Sequence, residues 1–205
     1  MEHEDLKSIL ESLLFVADGP LTVQRLAEVI DSASKDEIRS ILDELNSELQ
    51  NNRRGIRLVE VAGGYQLRTA KVNADWVKKL LGGRPARMGR ATLETLAIVA
   101  YRQPITKAEI EAIRGVDVDG VITTLLERNL VRALARKDVP GRPFLYGTTP
   151  EFLELFNLKD LAQLPTLKEM EEMTLPEIPG DEVPTEEVQQ AGAAVEIDRT
   201  EEHQN

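Results

Sequence analysis

The sequence predicts a mostly helical chain with small β-hairpin wings: two winged helix-turn-helix domains in tandem, followed by an acidic, disordered tail. Three observations predict it. Apolar residues recur at helical spacing in groups of three segments, each group is followed by two short β-rich runs joined through glycine or proline, and the core positions of the first group recur 84 residues later.

The first helix is marked by Leu6, Ile9, Leu10, Leu13, Leu14 and Ala17, an i, i+3, i+4, i+7 stripe that Asp18-Gly19-Pro20 stops. Thr22 is placed to cap a second helix bearing Leu26, Val29 and Ile30. Ser34-Lys35-Asp36-Glu37 has the form of a capping box and opens a third, with Ile38, Ile41, Leu42, Leu45 and Leu49 on its inner face. The β-rich runs Ile56 to Val61 and Tyr65 to Thr69 flank Gly63-Gly64, two adjacent residues free to adopt the positive φ of a tight hairpin. A short helix, Asp75 to Leu81, closes this unit.

Sliding the chain by 84 places sets Pro20, Leu21, Thr22, Leu26 and Val29 over Pro104, Ile105, Thr106, Ile110 and Ile113, and Ile38, Ile41 and Leu42 over Ile122, Leu125 and Leu126. The second copy has its own capping box, Thr106 to Glu109, and a wing running from Val131 to Ala135 through Pro140-Gly141 to Phe144 and Gly147. Thr149-Pro150-Glu151 caps a closing helix with Phe152, Leu155 and Phe156. The expected organisation is a first domain over 1–82, a Gly-, Pro- and Arg-rich linker over 83–90, a second domain over 91–165 and a tail over 166–205, with about 175 to 205 disordered.

The net charge of −11 describes only the tail. Residues 169–205 hold twelve of the 36 acidic residues and one of the 25 basic ones, leaving 24 of each in 1–168. The body therefore shows none of the basic excess that advertises nucleic acid. The chain lacks cysteine, which removes disulfides and thiolate metal sites. The acidic start and the interrupted apolar stripe exclude a signal peptide or membrane span, so the expected setting is cytoplasmic.

The composition supplies little for catalysis. His3 and His203 are the only histidines and lie in terminal segments, every serine falls at or before Ser47, and no glycine run has phosphate-binding spacing. Glu109 and Glu111 could form an acid/base pair, but the first fits a cap and the second an exposed helical face. No enzyme, cofactor or metal site is expected.

A winged helix commonly reads DNA through its third helix. Here that helix begins Lys35-Asp36-Glu37 and continues with Asp43, Glu44 and Glu48, and its counterpart opens Asp117-Val118-Asp119, where acids repel phosphates. Arg53, Arg54 and Arg57, with Arg132, Arg136, Lys137 and Arg142 around the second wing, leave open phosphate contact by the wings, against a solvated or protein-binding surface. A DNA-binding transcriptional regulator is thus the alternative to a protein-binding module. On the first helix, Leu10, Leu13, Leu14 and Phe15 are candidates for a dimer interface, which a packed core would explain equally well.

The run Glu94-Thr95-Leu96-Ala97-Ile98-Val99-Ala100-Tyr101-Arg102-Gln103-Pro104-Ile105-Thr106-Lys107, continuing to Val116, and the wing Pro140-Gly141-Arg142-Pro143-Phe144-Leu145-Tyr146-Gly147-Thr148-Thr149 resemble the bacterial segregation and condensation protein B (ScpB) family over roughly residues 5 to 165. The acidic tail lies outside the resemblance. The resemblance implies two winged-helix domains per chain, self-association mainly through the first, and binding of the kleisin subunit ScpA, which bridges SMC ATPase heads. It implies chromosome condensation and segregation without ATP hydrolysis, direct DNA binding being weak or absent. Pro104, Thr106 and Gly115 are read as fold residues, Gly115 ending a helix at positive φ. Tyr101, Arg102, Gln103 and Arg114, polar groups gathered at one helix end, with Arg142 and Tyr146 on the wing, are the candidate kleisin contacts. Arg142 faces two alternatives, an acid of the partner or one of its own domain.

Overall fold

The computed structural model describes residues 2–51, 54–82, 88–166 and 169. Arg53, most of the expected linker and nearly all of the expected tail lie outside them.

Several helices begin where a side chain satisfies free backbone N–H groups of the first turn. α1 spans His3–Val16, α2 Val23–Ile30 and α3 Lys35–Asn51. Thr22 Oγ1 accepts the Arg25 N–H at the start of α2. At α3, Ser34 and Glu37 exchange hydrogen bonds, the Ser34 N–H donating to the carboxylate at 2.8 Å and the Glu37 N–H to the hydroxyl at 3.2 Å, a closed capping box. The inner faces of the three helices meet at Leu10, Leu14, Leu26, Ile38, Leu42 and Leu45, all but sealed from solvent.

β1 (Ile56–Val61) and β2 (Gly64–Thr69) pair antiparallel from Ile56↔Thr69 to Val61↔Gly64. The turn differs from the expected one. Its positive-φ residues are Ala62 (49°) and Gly63 (72°), while Gly64 lies inside the strand. Gly64 is required for room: a Cβ there would stand 2.8 Å from the Leu21 carbonyl carbon and oxygen. That closeness arises because Leu21 and Tyr65 exchange backbone hydrogen bonds at 2.9 and 2.8 Å, adding a one-residue third strand. A 3-10 turn, Lys71–Asn73, leads into α4 (Ala74–Leu81), none of whose residues is buried.

The second set of elements repeats the first. α5 (Arg90–Arg102), α6 (Lys107–Arg114) and α7 (Asp119–Glu127) enclose Leu96, Val99, Ile110, Ile122 and Leu125. Gly115 ends α6 at φ 71°, as expected. β3 (Ile105–Thr106), β5 (Phe144–Thr148) and β4 (Val131–Arg136) form an antiparallel sheet in the order β3-β5-β4, with a bulge between Ala133 and Ala135. Thr149 caps α8 (Pro150–Leu155), which buries Phe152. The described chain is thus mostly helical with two small antiparallel sheets and two apolar cores.

Residues 1–164 cluster as one compact unit, because the two sets of elements touch away from the linker. The N–H groups of Ala62 and Gly63, at the first hairpin's tip, donate to the carbonyls of Leu158 and Lys159, each at 2.9 Å. Arg68 reaches the Asn157 side chain at 2.9 Å, and Lys159 pairs with Glu60 at 2.8 Å.

Candidate protein-docking surfaces

The polar residues read as one cluster at the end of α5 separate into two sites with different roles. Gln103 is turned inward. Its amide nitrogen donates to the Ala100 carbonyl and to Thr148 Oγ1, at 3.2 and 3.0 Å, and its amide oxygen accepts the Thr148 N–H at 2.8 Å. It splices α5 to β5, and Gly147 beside it has no space for a Cβ, which would meet Leu134 at 2.6 Å and Gln103 at 2.7 Å. Arg114 sits at the opposite end of α5: its guanidinium donates to the Ala91 carbonyl and Thr95 Oγ1, both at 2.7 Å, and pairs with Glu94 at 3.0 Å. With the side chain only 14% exposed, it pins α6 to α5 and is a fold residue. Thr95 and Thr148, which sequence reading passed over, are buried because they receive these two side chains.

Tyr101 and Arg102 on the last turn of α5 are exposed. Tyr146 is half-buried, its backbone register fixed by Ile105 and Ala133 and its ring 6.5 Å from that of Phe144. Arg142 is held at φ 40° in the wing loop, where its carbonyl accepts from Arg136 at 3.0 Å. The residue is exposed. The outward members of the predicted set are therefore Tyr101, Arg102 and Arg142.

The α1 candidates divide likewise. Leu10 and Leu14 belong to the chain's own core, with 0% and 2% exposure, and Leu13 packs partly against it. Those three support the fold and have little or no surface to offer a second copy. Phe15, 84% exposed, is the outward one, joined by Val16 and Ile9.

Charge is distributed unevenly between helix starts and wings. At α3, Asp36 pairs with Arg39, Glu37 closes the cap, and Glu44 and Glu48 take Lys7, whose ammonium their hydrogen bonds hold well above the usual lysine range. His3 also reaches Glu44, at 2.8 Å. At α7 a single cation, Lys107, stands among Glu111, Asp117 and Asp119, so this start stays acidic. Several wing bases are already engaged. Arg57 donates to the carbonyls of Leu49, Arg54 and Ile56, Arg136 lies 4.0 Å over the Phe144 ring, and Lys137 pairs with Glu109 at 2.7 Å. Arg54, Arg132 and Arg142 remain exposed.

Glu109 serves as a cap. Its carboxylate accepts from Lys137 and from the N–H and hydroxyl of Thr106, and these bonds, that of Lys137 foremost, hold its pKa at about 2. Glu111 pairs with Lys107 at 3.4 Å, and among the described residues no group of three His, Asp or Glu converges as metal ligands would. No helix among them is long and apolar enough to cross a membrane. What the arrangement offers is surface: an open depression of about 470 Å³ lined by Glu111, Ala112, Gly115, Val116 and Asp117, and another of about 280 Å³ beside Phe15. Sequence reading also gave no role to Trp76, Leu80 and Leu81, which stand out from α4; the i, i+4 spacing of Val72, Trp76 and Leu80 was the available signal.

The family model described as "Segregation and condensation complex subunit ScpB" matches residues 8–167. Segregation and condensation protein B of Syntrophotalea carbinolica is 51% identical over 174 residues, covering 85% of this chain and 88% of that protein. Its counterpart in Moorella thermoacetica is 49% identical over 171 residues, 82% of this chain and 85% of that one. A crystal structure described as a dimer of the ScpB N-terminal domain complexed with ScpA peptide is similar at 36% identity, covering 38% of this chain and 95% of that one, with a TM-score of 0.35.

Proposed function

The chain belongs to the ScpB family of segregation and condensation complex subunits, and on that premise we propose that it is a non-catalytic accessory subunit of a cytoplasmic, nucleoid-associated SMC–kleisin machine. Two winged-helix domains, over 1–82 and 91–165, carry the work. The first pairs two copies, and the second, with neighbouring surfaces, grips a segment of the kleisin ScpA, setting the geometry of the SMC ring. A segment that orders on binding loses entropy, and paired grip sites offset this by raising the effective concentration of the second contact.

The observation that carries this reading is the acidic start of α7, with three carboxylates around one lysine where a duplex-reading helix needs phosphate partners. The exposed Tyr101, Arg102 and Arg142 supply residue types favoured as anchors in protein interfaces. The rival reading, a DNA-binding regulator, draws on the exposed Arg54, Arg132 and Arg142 of the two wings.

Titration of purified ScpA into the full chain tests the proposal. The expected outcome is a complex that Tyr101→Ala, Arg102→Ala and Arg142→Ala weaken, the two arginine variants without changing the unfolding midpoint. Heat release unchanged by all three variants removes these residues from the interface, and no complex at all removes the reading.

A further inference from the structure

The tip of the first hairpin is held by the far end of the second half. In a two-residue hairpin closed by the Val61↔Gly64 pair, the N–H groups of the two turn residues have no partner in the ladder. Here both are engaged: Ala62 and Gly63, at φ 49° and 72°, donate to the carbonyls of Leu158 and Lys159, each at 2.9 Å. The outer face of the sheet is engaged as well. Strand alternation turns Leu58 and Leu67 toward the first core and sets Val61 and Arg68 on the opposite face. Val61 is nonetheless fully buried while belonging to neither core, and Arg68 donates to the Asn157 side chain at 2.9 Å and to the Glu154 carbonyl at 3.3 Å.

The holding groups are built by the second half alone. α8 stops at Asn157, φ 55°, whose N–H donates to the Glu154 carbonyl at 3.2 Å while the Leu158 N–H reaches back to the Leu153 carbonyl at 2.8 Å, the paired bonds of a left-handed helix stop. Leu153 and Leu158 pack against the second core, and the Gln163 side chain accepts the Lys159 N–H at 2.6 Å. The course of residues 157–159 is therefore set before the hairpin meets it. The seam itself is polar: two backbone hydrogen bonds, the Arg68 contacts and the partly exposed Lys159–Glu60 pair at 2.8 Å, with no residue shared by the two apolar cores among the described residues. A polar contact between two halves that each keep a core opens more readily than either core unfolds.

We propose that the stop of α8 is a releasable clasp on the first hairpin: closed, it joins the two halves into one unit and takes the hairpin tip and Arg68 out of reach of outside ligands, and open, it frees them. Two features make it a joint rather than a piece of core. The turn at Ala62 and Gly63 and the stop at Asn157 are each shaped by their own element, so opening and closing need no refolding on either side. The bonds across the seam are hydrogen bonds and one ion pair, which water can replace on opening. The inference goes beyond the proposed function, which assigns no joint between the halves, and it does not depend on which partner the chain binds.

Hydrogen exchange of the full chain at the Ala62 and Gly63 amides reads the clasp directly. Both should be protected, roughly ten- to a hundredfold for two hydrogen bonds of ordinary net strength. The double variant Arg68→Ala/Lys159→Ala should lose much of that protection while the amides of α3 and α7 keep theirs. Glu60→Lys, which sets a second cation against Lys159, should also loosen the tip, and adding Lys159→Glu should restore it, a rescue that general weakening of the hairpin would not give. The chain has no cysteine, and the two backbone bonds flank Ala62 and Lys159, so Ala62→Cys with Lys159→Cys should close a disulfide within one chain at high dilution. Free exchange at both amides of the native chain overturns the inference and leaves the proposed function standing. A disulfide that forms only between two chains overturns it by giving the carbonyls to a second copy. Protection lost at the tip, α3 and α7 together overturns the claim of a separate joint. A protected tip in a chain that forms no ScpA complex keeps the inference and removes the proposed function.

Discussion

α2 and α6 begin 84 residues apart and end 84 residues apart, and α3 and α7 start in the same phase, yet α3 runs seventeen residues where α7 stops after nine. The extra turns of α3 bring Leu45 and Leu49 onto the core and Glu44 and Glu48 onto Lys7 of α1, so the first half is tied together mainly by apolar contact and surface ion pairs. The second half, with a shorter helix, ties its elements through half-buried polar side chains: Gln103 to Thr148, Arg114 to Thr95 and Ala91, and Thr149 to the Asn129 carbonyl. The difference shows how one framework divides labour. Both halves keep an apolar core and both leave apolar residues outside, Phe15, Trp76 and Leu80 in the first and Ile113, Val116 and Leu155 in the second, but in the second the polar splices also occupy side chains that look available for a partner.

The sharpest break between core and surplus lies within α1. Leu10→Ala should cost about 3–5 kcal/mol, the range for a fully buried leucine, while Phe15→Ala should stay within about 0.5 kcal/mol in the dilute chain. Denaturant unfolding of both variants checks this, and equal losses would dissolve the distinction.

Two glycines sharpen the comparison between the sheets. Gly64→Ala drives a Cβ against the Leu21 backbone, which cannot move aside, and should cost about 1–3 kcal/mol. Gly147→Ala meets the Leu134 side chain, which can shift, and the Gln103 amide oxygen, which cannot move without giving up the Thr148 N–H, so its loss should be of the same order in the same unfolding measurement.

Arg114→Ala and Gln103→Ala should each cost about 1–3 kcal/mol, because each leaves half-buried partners unsatisfied. Hydrogen exchange should locate the loosening at the α5–α6 contact for the first and at the α5–β5 contact for the second. A variant of either that unfolds normally and loses only ScpA binding would return that residue to the interface.

The smallest effect is at Glu109. Its pKa is lowered from 4.5 to about 2, so its stabilising contribution is complete above 4.5 and disappears as pH falls toward 2. Thermal melts across that window should fall more steeply for the native chain than for Glu109→Gln; parallel curves would mean that Lys137 and Thr106 do not favour the carboxylate.

The helix caps are legible in the sequence because their physics is local. Thr22, the Ser34–Glu37 and Thr106–Glu109 boxes, Thr149 and Gly115 all act within four residues. The sheet pairings needed chain segments far apart, and there the repeat misleads. Leu21 pairs with Tyr65 and Ile105 with Tyr146, so the partners lie 84 residues apart on one side and 81 on the other, and an 84-residue slide never aligns the two tyrosines. For the same reason Gly64 was read as a turn residue, when its need is for room beside Leu21. At the candidate site, Gln103 and Arg114 were indistinguishable from Tyr101 and Arg102 in sequence, since a polar side chain near a helix end shows its partner only once Thr148, Ala91 and Thr95 are placed in space.

The ligand proposed for this surface is protein, and not duplex DNA. The direct test is a competition: the full chain with purified ScpA and labelled duplex DNA together, both complexes followed through a salt series. The ScpA complex should persist at physiological salt while DNA binding is weak and disappears steeply as salt rises. DNA bound at physiological salt with ScpA left free would contradict it.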